Sequence, residues 1–133
     1  MIETISGIIT ALVIIVLSRL LSKYFTTKLI AATSLVAIAF IYTGFSLKDN
    51  PVSLIILEVA VSLFFYFLAI IGFTRNSSLI AYGIILHGLW DVLHHQGLAV
   101  GTNIPGYWPS FCIIIDIIDG IYFLFIFKRQ KTN

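Results

Sequence analysis

The chain has 133 residues, of which 59% are hydrophobic and only 11% are charged, with a formal net charge of +2 and a mean hydropathy of +1.06. A soluble domain of this size leaves too much surface in water to hide so many apolar side chains. The composition therefore excludes a soluble globular protein and predicts an integral membrane protein. The sequence has no arginine-rich aromatic pattern, so we expect no nucleic-acid partner.

Five apolar stretches have the length of membrane-spanning helices, which need about 20 residues each. Turn-forming residues separate these stretches, such as Asn50 and Pro51 before the third and the glycine-containing loop before the fifth. The sequence therefore predicts an all-α polytopic bundle of five transmembrane helices that forms a single membrane domain. The predicted spans cover approximately residues 2–21, 29–47, 52–73, 78–95 and 108–127.

The positions of the basic residues predict the orientation of the bundle. With five spans and an external N-terminus, Lys48 alone among the eight lysine and arginine residues lies outside the cell. If the fourth stretch did not cross, the basic residues would be divided equally between the two sides. Because cytoplasmic segments carry the excess of Lys and Arg, we expect five spans, with the N-terminus outside and the C-terminus in the cytoplasm. The cytoplasmic residues would be Arg19, Lys23, Lys28, Arg75, Lys128, Arg129 and Lys131.

The fourth predicted span carries a polar stripe. The stretch from His87 to His95 holds all three histidines of the chain together with Asp91. On an α-helix, His87, Asp91 and His94 are spaced i, i+4 and i+7, so their side chains share one face. His95 points about 100° away from His94 and is interpreted as an interfacial residue in contact with water.

Three further carboxylates lie within predicted spans, Glu58 in the third and Asp116 and Asp119 in the fifth. An aspartate at the centre of a membrane helix costs about 2.5 to 3.5 kcal/mol, so four unpaired carboxylates facing lipid would cost on the order of 10 kcal/mol. Every Lys and Arg lies in a loop, in a tail or at a span end, so the counter-charge must come from histidinium, protons or a metal ion. We therefore expect these groups to meet in an outward-facing polar pocket in the outer half of the membrane.

Imidazole nitrogen combined with carboxylate oxygen is typical of sites for Zn²⁺, Fe²⁺ or Mn²⁺. Metal sites in helical bundles use inward-facing residues spaced i, i+3 or i+4 on neighbouring helices. The sequence hypothesis is a divalent metal, zinc or iron. Its predicted ligands are His87, Asp91, His94 and Asp116.

A metal in such a pocket would activate water, which predicts a hydrolase-like membrane enzyme that acts on a lipid-like or amphiphilic substrate. Glu58 and Asp119 are the candidate catalytic carboxylates, with Glu58 as the general acid or base. Two other functions stay open: a carrier or sensor that binds and releases protons or cations through the same acids, and a non-catalytic partner subunit. We expect membrane lipid as a partner, and the chain is compatible with a homo-oligomer.

The sequence from His87 to Asp91, with His94 and His95 and then the Pro-Gly-Tyr-Trp-Pro stretch and Asp116, resembles an uncharacterised family of small bacterial membrane proteins. The resemblance covers the C-terminal third of the chain and implies a location in the bacterial inner membrane without an assigned activity. The chain is more distantly similar to the seven-helix alkaline ceramidase and adiponectin-receptor hydrolases, which hold zinc by histidines near an aspartate and a serine. That similarity implies zinc-dependent hydrolysis, although five spans rather than seven are predicted here.

Overall fold

A computed structural model describes residues 2–95 and 98–132, which form helices and connecting loops without a β-strand among them. The observed bounds lie within two residues of the predicted spans, except that the last helix continues through the basic tail. The tail is helical because Lys and Arg are good helix formers and are favoured near a helix C-terminus. The predicted all-α bundle of five helices is confirmed. The helices are α1 (Ile2–Leu21), α2 (Thr27–Ser46), α3 (Val52–Thr74), α4 (Ser78–His94) and α5 (Trp108–Thr132).

Four of these helices, α1, α2, α3 and α5, are long and apolar enough to cross a membrane, so the chain is a multi-pass membrane protein. Helix α4 is shorter, with 17 residues, but nine of them are buried, which is the largest buried fraction of the five helices. The buried face of α4 places its polar groups against other side chains rather than lipid, whereas Leu86, Leu89 and Val92 are exposed on its other face. That α4 also crosses the membrane, with the N-terminus outside, stays a prediction from the charge distribution.

Helix α4 connects α5 to the pair formed by α2 and α3. It packs against α5, α3 and α2, whereas α1 packs mainly against α5 and touches α2 little. At one end of the bundle the Lys131 ammonium donates a hydrogen bond to Asn76 Oδ1 over 2.8 Å. The basic tail therefore lies at the same end as the turn between α3 and α4, which is the arrangement that the predicted orientation requires.

The opposite end of the bundle is covered by its loops. The backbone N–H of Asn103 donates to Asn50 Oδ1 over 2.8 Å, which joins the loop before α5 to the turn before α3. In the same loop, Val100 and Thr102 are buried. The described part of this loop, residues 98–107, thus folds inward over the helix ends and covers the polar groups beneath it.

The half of the bundle away from these loops is packed with apolar side chains from α2, α3, α4 and α5. This core contains no ionisable side chain among its buried members in residues 2–95 and 98–132. The buried carboxylates and the two buried imidazoles lie on α3, α4 and α5. The largest members of the core are Ile30, Leu35, Phe65, Ile80, Ile84, Phe123 and Phe127.

Two glycines allow α4 and α5 to approach closely. A Cβ atom at Gly88 would lie 3.1 Å from Asp116 Cβ, and one at Gly120 would lie 2.5 Å from Ile85 Cγ1 and 3.2 Å from the backbone oxygen of Ala81. Small residues at helix contacts let membrane helices pack backbone against backbone. This close packing brings Asp116 of α5 within reach of the polar face of α4.

Replacing Gly120 with alanine is expected to destabilise the bundle. The added methyl group would meet Ile85 and the Ala81 backbone, and overpacking of this kind costs about 1–3 kcal/mol. Gly44 in α2 is the matched control, because a Cβ atom there meets nothing within 4 Å and alanine is the better helix former by about 1 kcal/mol. In thermal unfolding in one detergent, Gly120→Ala should melt below the wild type and Gly44→Ala at or above it. Equal melting of both variants would contradict the close α4–α5 contact.

Candidate metal centre and the adjacent acid pair

Helix α4 presents its polar stripe to the interior of the bundle. His87, Asp91 and His94 are 2%, 0% and 3% exposed. The helical spacing puts them on one face, and α4 turns that face toward α2, α3 and α5. The structure therefore confirms that these three residues are buried and separated from lipid.

Three of the predicted ligands converge. His87, Asp91 and Asp116 can each offer one ligand atom, and these atoms all lie within 4.8 Å of one another. His87 Nδ1 is 2.7 Å from Asp116 Oδ2 and 3.8 Å from Asp91 Oδ1. Phe65 packs edge-on against the His87 ring with the centroids 5.1 Å apart, which restricts the orientation of the imidazole. Helices α4 and α5 thus supply a compact set of one nitrogen and two oxygen donors.

Asp91 is the group with the least hydrogen bonding in this set. Within the described ranges, neither of its buried carboxylate oxygens has a hydrogen-bond partner, and the same is true of the Tyr42 hydroxyl. Tyr42 nevertheless lies close enough to Asp91 for its hydroxyl to become a hydrogen-bond donor to that carboxylate. A buried carboxylate without donors is costly in a medium of low polarity, so these oxygens fit a bound cation or a proton.

The donor chemistry of the three residues fits a small divalent cation. Imidazole nitrogen and carboxylate oxygen both bind Zn²⁺, Fe²⁺ and Mn²⁺. Three protein ligands are also the number found in catalytic zinc sites, where the fourth position is left for water or substrate. With neutral His87, the two carboxylates carry two negative charges, which one divalent cation would cancel.

His94, the fourth predicted ligand, is paired with Glu58 of α3 instead. His94 Nε2 lies 2.7 Å from Glu58 Oε1, and His94 Nδ1 lies 3.2 Å from the backbone oxygen of Trp90. The Thr102 hydroxyl donates to the same Glu58 oxygen over 2.5 Å. Both ring nitrogens therefore face oxygen acceptors, a pattern that histidinium satisfies with its two N–H donors beside a glutamate carboxylate. Such a pair has no net charge.

Aromatic rings enclose the His94 side of this pair. Tyr42 stacks on the His94 ring with the centroids 4.2 Å apart, and Trp90 meets it edge-on at 5.1 Å. A cationic imidazole is stabilised by the face of an aromatic ring. Tyr42 also lies 6.0 Å from the His87 ring, so it stands between the His94–Glu58 pair and the three converging residues. The two groups of ionisable residues are thus neighbours.

The remaining predicted residues lie nearby or at the edge. Asp119 is on α5 one turn beyond Asp116, is 5% exposed, and lines a cavity together with Asp116. His95 is partly exposed and shares a hydrogen bond of 3.1 Å with the Ser110 hydroxyl, apart from the other histidines. Thr102 is not predictable from the sequence as part of the site, because a threonine in a polar loop carries no signal that it folds back onto a buried glutamate.

Removing one partner of the Glu58–His94 pair is expected to lower the free energy of unfolding more than removing both partners together. Glu58→Leu would leave His94 buried without its counter-charge, and breaking a buried pair in this way costs about 3–5 kcal/mol. The double variant Glu58→Leu with His94→Phe removes both polar groups, keeps a ring against Tyr42, and should recover most of the loss. Unfolding free energies measured in detergent would check this. Thr102→Val is the control that removes one hydrogen bond, at about 1 kcal/mol. A double variant that is as unstable as the sum of both single variants would contradict the pairing.

Comparison with known proteins gives one match. The model of a family of unknown function, DUF6010, matches residues 2–129, which include α1 to α4 in full and nearly all of α5. No curated protein and no solved structure matches the chain.

Proposed function

The chain belongs to DUF6010, and because that family has no known function, we propose one from the geometry of the site. We propose that the protein is a divalent-metal-dependent, hydrolase-like membrane enzyme that acts on a lipid-like or amphiphilic substrate. His87, Asp91 and Asp116 would hold the metal. The proposal rests on one observation, the three buried ligand atoms that lie within 4.8 Å of one another.

The charge of this group supports a metal. Asp91 and Asp116 are almost completely buried, and every Lys and Arg of the sequence lies in a loop, in a tail or near a helix end. A salt bridge to a basic side chain is therefore not available to them in the middle of the bundle. A divalent cation would neutralise both carboxylates and give the orphaned Asp91 oxygens a partner.

The His94–Glu58 pair supplies the second part of the chemistry. A divalent cation held by His87, Asp91 and Asp116 would supply a Lewis acid that polarises a carbonyl group and activates water. A proton can move between His94 Nε2 and Glu58 Oε1, which are 2.7 Å apart, so the pair would hold and release the proton that hydrolysis requires. The loop carrying Thr102 covers the pair and limits access of bulk water.

The depth of the site supports a membrane-borne substrate. At 1.5 Å per residue, Asp91 lies about 5 Å from the end of α4 and Asp116 about 12 Å from the start of α5. In the predicted orientation this is the outer part of the hydrocarbon layer, where the first bonds below a lipid headgroup are found. The bacterial inner membrane is the location that we propose, from the resemblance noted in the sequence.

A proton or cation carrier or sensor is the second candidate, and one distance favours it. His87 Nδ1 and Asp116 Oδ2 are 2.7 Å apart, which is the distance of a hydrogen bond. Ligand atoms around a tetrahedral metal, each about 2.0–2.2 Å from the ion, lie roughly 3.3–3.6 Å from one another. Metal binding would therefore separate these two atoms by somewhat less than 1 Å, whereas a shared proton needs no movement.

Elemental analysis separates the two candidates. Protein purified in detergent without chelators should contain close to one zinc, iron or manganese ion per chain, and His87→Ala should lower metal affinity by about tenfold or more because one of three ligands is lost. His95→Ala is the matched control, since His95 bonds to Ser110 outside the group. Wild-type protein that binds no divalent metal, even after incubation with zinc, would exclude the enzyme proposed here and leave the carrier.

Glu58 should be needed for turnover but not for metal binding. With the metal-loaded protein in lipid vesicles and a panel of fluorogenic acyl esters and amides, Glu58→Gln should lower the rate by about 10²- to 10⁴-fold, the usual contribution of a general acid or base. Its metal content should equal that of the wild type, because Glu58 lies outside the three-residue group. A Glu58→Gln variant with full activity would exclude the proposed role of the pair.

A further inference from the structure

Next to the candidate metal centre, the bundle contains a cavity of about 220 Å³. Its lining is apolar except for Ser34, Asp116 and Asp119. The Ser34 hydroxyl is already satisfied, since it donates to the backbone oxygen of Ile30 over 2.9 Å. Asp116 is engaged by His87. The apolar lining comes from α1, α2, α4 and α5 and consists of Ile14, Ala37, Ile38, Ile84, Ile115 and Phe123.

Asp119 is the unsatisfied group of this cavity. Its side chain is nineteen-twentieths buried, and Oδ1 has no hydrogen-bond donor anywhere in the part of the chain that the structure describes. A carboxylate oxygen in an apolar cavity requires a donor, and a charged donor is the stronger one. The cavity itself offers the space for such a donor to enter with a bound molecule.

A count of charges gives the sign of the expected ligand. Glu58 and His94 neutralise each other, and a divalent cation at His87 would neutralise Asp91 and Asp116. Asp119 is then the one carboxylate among the buried, described side chains without a counter-charge. The inference rests on the proposed function at this point, because the count includes a metal ion bound at His87.

We propose that Asp119 and this cavity form a substrate subsite for an ammonium group carried on a short alkyl chain. The substrate class of the proposed enzyme would then be amphiphiles with an amine close to the bond that reacts. A volume of 220 Å³ is below the range of about 300–1,000 Å³ that holds a whole drug-sized ligand. The subsite therefore accommodates one part of a substrate rather than an entire lipid.

The position of the cavity provides a route from the membrane. Ile14 of α1 and Ala37 and Ile38 of α2 line it, and these two helices touch each other little. Ala37 is also exposed on the outer surface of the bundle. An amphiphile dissolved in the bilayer could thus enter sideways between α1 and α2, with its ammonium group meeting Asp119 on the far wall.

Binding of small amines tests the subsite. The zinc-loaded full chain in lipid nanodiscs is dialysed against radiolabelled hexylamine, which is cationic at neutral pH, and in parallel against hexanol, which has the same chain without charge. The wild type should bind hexylammonium saturably and about tenfold more tightly than hexanol, a difference of about 1.4 kcal/mol. Asp119→Asn should abolish this preference. Equal binding of the two probes by the wild type, or a preference that survives in Asp119→Asn, would overturn the proposal.

Two further variants control for charge and space. Asp49→Asn removes one negative charge from an exposed turn and should leave hexylammonium binding unchanged. Ser34→Leu should fill part of the cavity and weaken binding of both probes while Asp119 is intact. Melting temperature and zinc content should stay at wild-type values in Asp119→Asn, which shows that the fold is retained. Binding of both probes at full strength by Ser34→Leu would place them elsewhere and overturn the proposal.

The two proposals fail in different ways. Zinc that binds at His87 while hexylammonium is ignored would exclude the amine subsite and leave the metal enzyme in place. Conversely, hexylammonium binding that depends on Asp119 in a protein without affinity for metal would exclude the metal enzyme and retain the subsite.

Discussion

The interior of this protein depends on one constraint: hydrocarbon offers a carboxylate neither a donor nor a counter-charge. Glu58, Asp91, Asp116 and Asp119 are all buried, and the sequence provides only imidazoles as cationic partners away from the helix ends. Each acid must therefore be matched by histidine, by a proton or by a ligand from outside the chain. His94 matches Glu58 and His87 approaches Asp116, whereas Asp91 and Asp119 keep unsatisfied oxygens.

The packing of the helices keeps these carboxylates and imidazoles away from hydrocarbon. The short α4 carries the histidines and packs against α2, α3 and α5, so its polar face does not have to contact lipid. Gly88 removes the side chain that would otherwise hold Asp116 away from that face. The loop before α5 completes the enclosure, because Thr102 donates to Glu58 from above. The helix packing, the glycine contact and the loop thus all help to enclose the same few ionisable groups.

Much of this arrangement could be predicted from the sequence, since hydropathy locates spans and helical periodicity shows which residues share a face. The polar stripe of His87, Asp91 and His94 and the burial of four carboxylates followed from those two rules. The partner of each residue did not. His94 lies about 10 Å along the helix from His87, so the same face meets α5 at one level and α3 at another. The periodicity of one helix does not show which neighbouring helix packs against each turn of its polar face.

The composition of α4 also has a consequence for how the protein is made. With only 17 residues, which include His87 and Asp91, α4 alone would insert poorly into a bilayer. Its polar face is covered on one side by α5, which the ribosome synthesises later. The polar face of α4 therefore stays uncovered until α5 has been made, so the helix depends on a later part of the chain for its burial.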